Sequence, residues 1–238
     1  MEFDLHVAAD GTPVLIHDAN LGRTTNGVGP VRRRTVAQLK ALDAGSWFAP
    51  RFEGERIPTL AEALEEVRGR VGRVYPEVKG YRELEDLDRM VAITRDLGML
   101  EQTTFISLDW RTVERIHGQN DAATIGYVVD TADRLPEALD RAIIRGRAII
   151  DLNAEIVLAE PSVVGACHRE GVPTAVWTVD DEETAERMVE AGVRRLTTND
   201  VQMIATWGDR RRAAGQSVPE GIPFPPPSSG PGTTGIST

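Results

Sequence analysis

The sequence predicts an α/β fold that is built from repeated strand–helix units around a parallel sheet. Apolar, β-branched segments of strand length alternate with helical patterns through most of the 238 residues, which is the signal for such units. The predicted strands are 2–7, 74–79, 103–107, 124–128, 148–152, 174–178 and 195–197. The predicted helices are 60–68, 83–97, 110–117, 135–145, 161–170, 182–191 and 201–212.

Residues suited to helix ends lie at several of these boundaries. Thr59 directly precedes the first long helix and has Glu62 three residues later, which is the capping-box pattern. Asp180 or Asp181 caps the helix that starts at residue 182. Gly171 follows another predicted helix, as expected at a helix C-terminus. The boundary residues therefore agree with the apolar periodicity.

Seven strand–helix units are one fewer than an eight-stranded α/β barrel contains, and an open sheet accommodates seven strands as well. The strand count leaves both architectures open. We expect one domain over residues 1–212, with a hairpin and a Gly- and Arg-rich loop inserted at 10–58. Residues 213–238 are rich in Pro, Gly and Ser, and we expect a disordered tail there.

Composition narrows the choice of partner to a small molecule. The formal net charge is −10 and the isoelectric point is near 5.0, which disfavours nucleic acid and anionic membranes. Cys167 is the only cysteine, so an intrachain disulfide or a zinc–thiolate cluster is excluded. No apolar run is long enough to span a bilayer, and no signal peptide is recognisable. We expect no stable membrane insertion and a cytoplasmic location, whereas the oligomeric state stays open.

The first residues place two carboxylates on one face of a strand. Residues two apart in a strand share a face, so Glu2 and Asp4 project together, away from Phe3. Two carboxylates repel each other unless a cation lies between them, and Mg²⁺ and Ca²⁺ both favour oxygen ligands. A solvent-exposed acidic strand is the alternative interpretation.

A similar pair, Glu77 and Lys79, lies two residues apart on the next long predicted strand. In a parallel barrel, active-site residues come from the C-terminal ends of different strands, so Glu2, Asp4 and Glu77 can converge on one metal. Lys79 adds the positive charge that an anionic phosphate ester requires. A surface ion pair is the alternative, although Lys40 is the only other lysine in the chain, which favours a functional role.

His17 follows a short apolar strand and has the chemistry for proton transfer near neutral pH. Its neighbour Asp18 either orients the imidazole ring or closes the turn. His6 continues the face of Glu2 and Asp4, whereas His117 and His168 lie on helical patterns. We assign none of these three histidines a catalytic role.

A series of short motifs runs in a fixed order from residue 2 to about residue 201. The motifs are Glu2-Phe3-Asp4-Leu5, Asp10-Gly11, Val14-Leu15-Ile16-His17-Asp18, Arg23-Thr24-Thr25-Asn26-Gly27, Leu42-Asp43-Ala44-Gly45-Ser46-Trp47-Phe48, Ile57-Pro58-Thr59-Leu60, Pro76-Glu77-Val78-Lys79, Ile106-Ser107-Leu108-Asp109, Trp177-Thr178-Val179-Asp180 and Thr197-Thr198-Asn199-Asp200. Each motif is unspecific alone, but the ordered set resembles the bacterial glycerophosphodiester phosphodiesterases.

The resemblance implies a TIM-type (β/α)8 barrel of the phospholipase C-like phosphodiesterase kind. It implies hydrolysis of glycerophosphodiesters to sn-glycerol 3-phosphate and an alcohol, within lipid and glycerol metabolism. It also implies a divalent cation, Mg²⁺ or Ca²⁺, with Glu2, Asp4 and Glu77 as its ligands.

The resemblance further assigns roles to three other side chains. His17 corresponds to one of two catalytic histidines and protonates the leaving alcohol, while the 2-hydroxyl of the substrate attacks phosphorus to form a cyclic phosphate. Lys79 holds phosphate oxygens, and Trp177 forms an apolar wall of the substrate pocket. Core packing at a strand end is the alternative for Trp177.

Two departures from the family pattern stand out. The usual first strand, ending in His-Arg-Gly, and the first helix, with a Pro-Glu-Asn-Thr-like motif, have no counterpart, so we expect a barrel without its first unit. Three explanations are a misassigned start codon, a shortened chain and a naturally degenerate relative. We favour the misassigned start codon, because a barrel without its first strand exposes two sheet edges, which invite association or misfolding. We expect weak or absent turnover from the chain as written. Arg194-Arg195 also replaces the usual Asp-Gly before the last strand.

Two alternative functions stay open at this point. One is a catalytically impaired or silent relative that keeps the metal and phosphate pocket without turnover. The other is a lysophospholipase D-like or phosphoinositide phosphodiesterase, which an apolar groove near Trp47 and Trp177 would favour.

Overall fold

The structure, a computed structural model, describes residues 1–216. It comprises two compact units, Met1–Asp130 and Thr131–Thr238, of which the second is described up to residue 216. The single domain predicted over residues 1–212 stays a prediction. Most of the tail predicted at 213–238 lies outside the described residues.

The first unit contains a five-stranded sheet with the order β2-β1-β3-β4-β5. Its strands are β1 (Glu2–Val7), β2 (Pro13–Leu15), β3 (Tyr75–Val78), β4 (Thr104–Ser107) and β5 (Thr124–Val129). Strand β2 is antiparallel to β1, and the other neighbours are parallel. Its α-helices are α1 (Val36–Lys40), α2 (Leu60–Val67), α3 (Leu84–Asp96) and α4 (Trp110–Gln119). Single 3-10 turns lie at Leu21–Arg23, Val31–Arg33, Pro50–Phe52 and Leu100–Gln102.

Strand β1 shows the alternation that the sequence predicts. Phe3, Leu5 and Val7 are buried, whereas the residues between them are only half-buried. The buried set lies in the apolar core of the unit, where Leu5 and the β4 residue Phe105 are fully buried. The opposite face of β1 is therefore the one that presents Glu2 and Asp4.

The segment 10–58, whose description as an inserted hairpin and loop stays a prediction, contains strand β2, helix α1 and three 3-10 turns. Asp10 closes the turn, since its carboxylate accepts hydrogen bonds from the backbone N–H groups of Thr12 at 3.2 Å and Val36 at 2.8 Å. Gly11 has a φ of 84°, which favours glycine. The segment packs around a small apolar core. The buried residues of this core are Ala8, Val14, Ile16, Leu21, Val31, Leu39 and Ile57.

Helix α2 begins at the predicted capping box. The Thr59 hydroxyl accepts a hydrogen bond from the backbone N–H of Glu62 at 3.2 Å, and the Glu62 carboxylate accepts one from the backbone N–H of Thr59 at 2.8 Å. The box satisfies two N–H groups that otherwise lack partners at a helix start. This prediction is confirmed.

The second unit contains two parallel strands, β6 (Ala148–Asn153) and β7 (Thr174–Trp177). Its α-helices are α5 (Leu135–Arg145), α6 (Ala154–Ala159), α7 (Ser162–Arg169), α8 (Glu182–Glu190) and α9 (Val201–Ala213), and a 3-10 turn covers Ala132–Arg134. Helix α9 takes in Ala213, the first residue of the predicted tail. None of the helices in residues 1–216 is long and apolar enough to cross a membrane.

The strand predicted at 195–197 is wrong as a full strand, because only an isolated bridge joins Val176 to Leu196. Backbone hydrogen bonds still link Val176 to Arg195 and Thr197 at 3.0 and 2.8 Å. The segment cannot extend further because it turns at once into a loop whose Asn199 donates two hydrogen bonds to Asp180. Pairing is therefore confined to one residue.

Candidate active site

Three carboxylates meet on the sheet of the first unit. Asp4 on β1 pairs in register with Glu77 on β3, and Glu2 lies two residues earlier on the same face of β1. One oxygen from each of the three carboxylates lies within 4.8 Å of the other two. Strand phase and parallel pairing together produce this cluster, since both strands direct alternate side chains to one face.

Burial and repulsion shift the protonation of this acidic cluster. Burial raises the pKa of Glu2 to about 7, and the nearby charges of Asp4 and Glu77 act in the same direction. Burial likewise raises the pKa of Glu77, against the lowering effect of Lys79. Carboxylates held together in this way carry an energetic cost that a bound cation would relieve.

Lys79 lies beside the cluster. Its Nζ is 3.2 Å from a carboxylate oxygen of Glu77 and 3.6 Å from one of Asp4. All three side chains are largely shielded from solvent, with 14 to 21% of each exposed. Lys79 therefore supplies one positive charge against three carboxylates, which leaves the cluster net negative when all are ionised.

The acidic cluster fits a hard divalent cation. Ca²⁺ binds oxygens at about 2.3–2.6 Å, so two of its ligand oxygens can lie up to about 5 Å apart, which accommodates the observed spread. Mg²⁺ binds at about 2.0–2.1 Å and retains several waters, so it suits a site with few carboxylates. The donor set is all oxygen, as both ions prefer.

His17 is fixed by its neighbour and by an arginine. Its Nδ1 lies 2.7 Å from an oxygen of Asp18, and Arg23 donates hydrogen bonds to Asp18 from Nε at 2.6 Å and from Nη2 at 2.9 Å. The Arg23 hydrogen bonds, followed by the one from His17, hold the pKa of Asp18 well below its usual range. The His17 side chain is 57% exposed, so its Nε2 is accessible to a substrate.

Main-chain bonds attach the His17 segment to β1. The backbone N–H of Ile16 donates to the carbonyl of Asp4 at 3.0 Å, and His6 Nε2 lies 3.2 Å from the carbonyl of His17. His6 is on the same face of β1 as the acidic residues, as expected from its phase. The segment that carries His17 is thus bonded to the strand that carries Glu2 and Asp4.

Trp177 lies in the second unit, at the end of β7. Its side chain is half-buried, and its indole Nε1 donates a hydrogen bond to the carbonyl of Asp151 at 3.2 Å. This bond fixes the ring against β6. Its predicted role in substrate binding stays a prediction.

Arg23 and His6 both lie near His17, although the sequence predicts no functional role for either. Arg23 belongs to one of the ordered motifs, but its bond to Asp18 depends on the 3-10 turn at Leu21–Arg23, which no periodicity indicates. The sequence indicates the position of His6 only through its spacing of two residues from Asp4, which places both side chains on one face of β1. Both residues support the backbone or side chain of His17.

Comparison with known proteins identifies the relatives of this chain. Residues 1–203 match the model of the glycerophosphoryl diester phosphodiesterase family. A glycerophosphodiester phosphodiesterase from Caldanaerobacter subterraneus subsp. tengcongensis is 30% identical over 209 residues, which cover 86% of this chain and 83% of the relative. Enzymes of this kind are phosphoric diester hydrolases, as the sequence predicts.

Solved structures of such proteins resemble this chain closely. A glycerophosphodiester phosphodiesterase from Agrobacterium tumefaciens has a TM-score of 0.74 and 28% identity, covering 86% of this chain and 85% of its own. An Oleispira antarctica phosphodiesterase, solved with the product sn-glycerol-3-phosphate, has a TM-score of 0.78 and 24% identity, covering 87% and 84%. These likenesses confirm the predicted TIM-type α/β fold class. The chain belongs to the glycerophosphoryl diester phosphodiesterase family.

Proposed function

We propose that the protein hydrolyses glycerophosphodiesters to sn-glycerol 3-phosphate and an alcohol, and that Glu2, Asp4 and Glu77 hold the divalent cation, Mg²⁺ or Ca²⁺, that the reaction requires. The observation that carries this proposal is the convergence of these carboxylates within 4.8 Å beside Lys79. Family membership supports the substrate class and its place in lipid and glycerol metabolism.

Each residue has a distinct part in the proposed reaction. When bound, the cation supplies electrophilic activation of the phosphate. The Lys79 ammonium binds a non-bridging phosphate oxygen and offsets the charge that develops there. The 2-hydroxyl of the glycerol releases its proton to water as its oxygen forms the new bond to phosphorus, and the bond to the alcohol oxygen breaks. His17 gives its proton to that alcohol oxygen; water later opens the cyclic phosphate and returns a proton to His17.

Two side chains complete the proposal. Asp18 holds His17 Nδ1, which leaves Nε2 directed at the leaving oxygen. Trp177 provides an apolar wall against the substrate, on the strength of its motif in the family and its fixed ring. These assignments describe positioning, which affects how often a bound substrate lies in a reactive geometry.

Product formation tests the proposal directly. The full-length protein is incubated with glycerophosphocholine in Mg²⁺ or Ca²⁺, and sn-glycerol 3-phosphate is measured with a coupled dehydrogenase. We expect release that EDTA abolishes and that Asp4→Asn abolishes as well. Cation binding by calorimetry without release in either metal would instead support the catalytically silent relative.

The role of His17 has its own test. Positioned proton transfer typically contributes about 10²–10⁴-fold, so His17→Ala should lower turnover of glycerophosphocholine by about that factor. A substrate with an activated aryl leaving group needs little protonation and should be affected much less. An equal loss with both substrates would rule out a mainly acidic role for His17.

One observation favours lysophospholipids as a second substrate class. His17 lines a cavity of about 330 Å³ together with Leu15, Trp47 and Ile57, which are apolar. The acyl chain that a lysophospholipid carries on its glycerol could occupy such a cavity. Trp47→Ala should then lower turnover of lysophosphatidylcholine but not of glycerophosphocholine. Phe48→Ala is the control, because Phe48 is also exposed but does not line the cavity.

A further inference from the structure

A second cavity, of about 340 Å³, opens beside Lys79 in the first unit. Its walls include His6, Asn20, Arg32, Gly80 and Tyr81. This volume is within the range of small-molecule sites, about 300–1,000 Å³. Because Lys79 belongs both to these walls and to the edge of the acidic cluster, the cavity is continuous with the site of proposed phosphate binding.

The walls of this cavity carry positive charge only, in a chain whose net charge is −10. Arg32 and Lys79 are the permanent cations, and within residues 1–216 no carboxylate lines the cavity. Lys79 is engaged by Asp4 and Glu77. The Arg32 guanidinium, by contrast, makes no hydrogen bond or ion pair within the described part of the chain.

On one side of the cavity, the backbone at Gly80 packs closely against the imidazole ring of His6. A Cβ added at Gly80 would lie 2.9 Å from His6 Nδ1, so glycine lets the imidazole ring lie against the chain that follows Lys79. The opposite nitrogen of His6 lies 3.2 Å from the carbonyl of His17. The cavity wall is therefore bonded to the segment that presents the proposed acid.

We infer that this cavity binds a second anionic group, a carboxylate or a phosphate monoester, on the alcohol part of the substrate, and that Arg32 is the residue that selects it. The inference rests on the proposed function. With the scissile phosphate on Lys79, an ester substituent can extend into the adjoining cavity, where Arg32 is the lining cation that no carboxylate of the described residues engages. A guanidinium forms paired hydrogen bonds to carboxylate or phosphate, and its charge disfavours a cationic alcohol such as choline.

Glycerophosphoserine and glycerophosphoethanolamine provide a matched pair of substrates, since serine differs from ethanolamine only by a carboxylate. We expect the full-length protein to prefer glycerophosphoserine, as measured by kcat/KM. Arg32→Ala should lower that preference about 10-fold, through KM, and leave glycerophosphoethanolamine turnover unchanged. Arg33→Ala is the control, because Arg33 belongs to the same 3-10 turn but does not line the cavity.

Three outcomes would overturn the inference. An equal loss for both substrates in Arg32→Ala would place Arg32 on the shared glycerophosphate. If Arg33→Ala lowered the preference for glycerophosphoserine as much as Arg32→Ala does, the effect would come from the positive charge of the surface in general. A wild-type protein that does not prefer glycerophosphoserine would have no such selective group.

A binding measurement separates this inference from the proposed function. O-Phosphoserine and phosphoethanolamine are titrated into the protein by calorimetry, which needs no turnover. We expect tighter binding of O-phosphoserine, lost in Arg32→Ala and kept in Arg33→Ala. If this result appears without any diester hydrolysis, the anion site stands and the proposed reaction fails. If hydrolysis occurs without it, the reaction stands and the anion site fails.

Discussion

Asp4 and Glu77 are register partners on adjacent parallel strands, and their carboxylates contact the same lysine, Lys79. The pairing fixes both side chains on one face of the sheet, and Lys79 holds the two carboxylates beside each other. This rigidity is suited to a preorganised metal site.

Removal of one carboxylate from this pair should weaken cation binding strongly. Changes beyond the direct ligands of metal sites typically cost about 10–100-fold in affinity, so Asp4→Asn and Glu77→Gln should each cost at least about 10-fold. Calorimetric titration with CaCl₂ and MgCl₂ measures the effect. Asp121→Asn is the control, because Asp121 is exposed and outside the cluster. Unchanged affinity in both cluster variants would remove these residues from the site.

Glu2 should make stability of the metal-free protein depend on pH. The pKa of Glu2 rises from 4.5 to about 7 in the folded protein. As the pH rises, the Glu2 carboxyl group therefore ionises at a lower pH in the unfolded chain than in the folded one. The resulting destabilisation is absent below pH 4.5, grows as the pH rises, and is complete above pH 7. In EDTA, Glu2→Gln should therefore raise the Tm at pH 8 and change it little at pH 4.5.

The matched control for Glu2 is Glu65→Gln, which removes an exposed charge from helix α2. Saturating Ca²⁺ should raise the Tm of the wild type at pH 8 more than that of Glu2→Gln. If Glu2→Gln changed the Tm equally at pH 4.5 and at pH 8, Glu2 would not be held in a repulsive cluster.

Asp18 should act on turnover through His17. Asp18→Asn removes the charge that holds Nδ1 at 2.7 Å, so the ring is oriented less often toward the leaving oxygen. We expect kcat for glycerophosphocholine to fall about 10-fold, part of the contribution of positioned proton transfer, with KM nearly unchanged. A rise in KM with an unchanged kcat would indicate a binding role for Asp18 instead.

Cys167 should be unreactive in the folded protein. The thiol on helix α7 is fully buried, and burial raises its pKa to about 11, so almost no reactive thiolate forms at pH 8. A disulfide reagent such as Ellman's reagent should label one thiol per chain in denaturant and almost none without it. Rapid labelling of the native protein would show that this helix opens readily.

The regular parts of the fold follow from local sequence patterns. The period-two alternation of β1 places Phe3 and Leu5 in the core, and Thr59 with Glu62 starts helix α2 as predicted. The short helices α1 and α6 were not predicted, because five or six residues are too few to show a helical period. The segment at 195–197 had strand composition, but its pairing is limited by the loop that follows.

The candidate site was predictable only where it depends on strand phase. Glu2, Asp4 and Glu77 lie in phase on their strands, so once β1 and β3 pair in parallel their side chains meet on one face. The bond between Arg23 and Asp18 depends on how a 3-10 turn directs one side chain. The position of Arg32 depends on another such turn, Val31–Arg33, and on a cavity that forms only in the folded chain.

The segment 10–58 pairs with the sheet through a short antiparallel ladder, Leu5–Val7 with Pro13–Leu15, and has its own small apolar core. Under the proposed roles, this segment carries Arg32 and Trp47, whereas the acidic cluster belongs to the strands beneath it. His17 also lies in this segment, so evolution or protein engineering can vary residues 24–58 around Arg32 and Trp47 to alter which substrate is accepted, while His17 and the acidic cluster are kept.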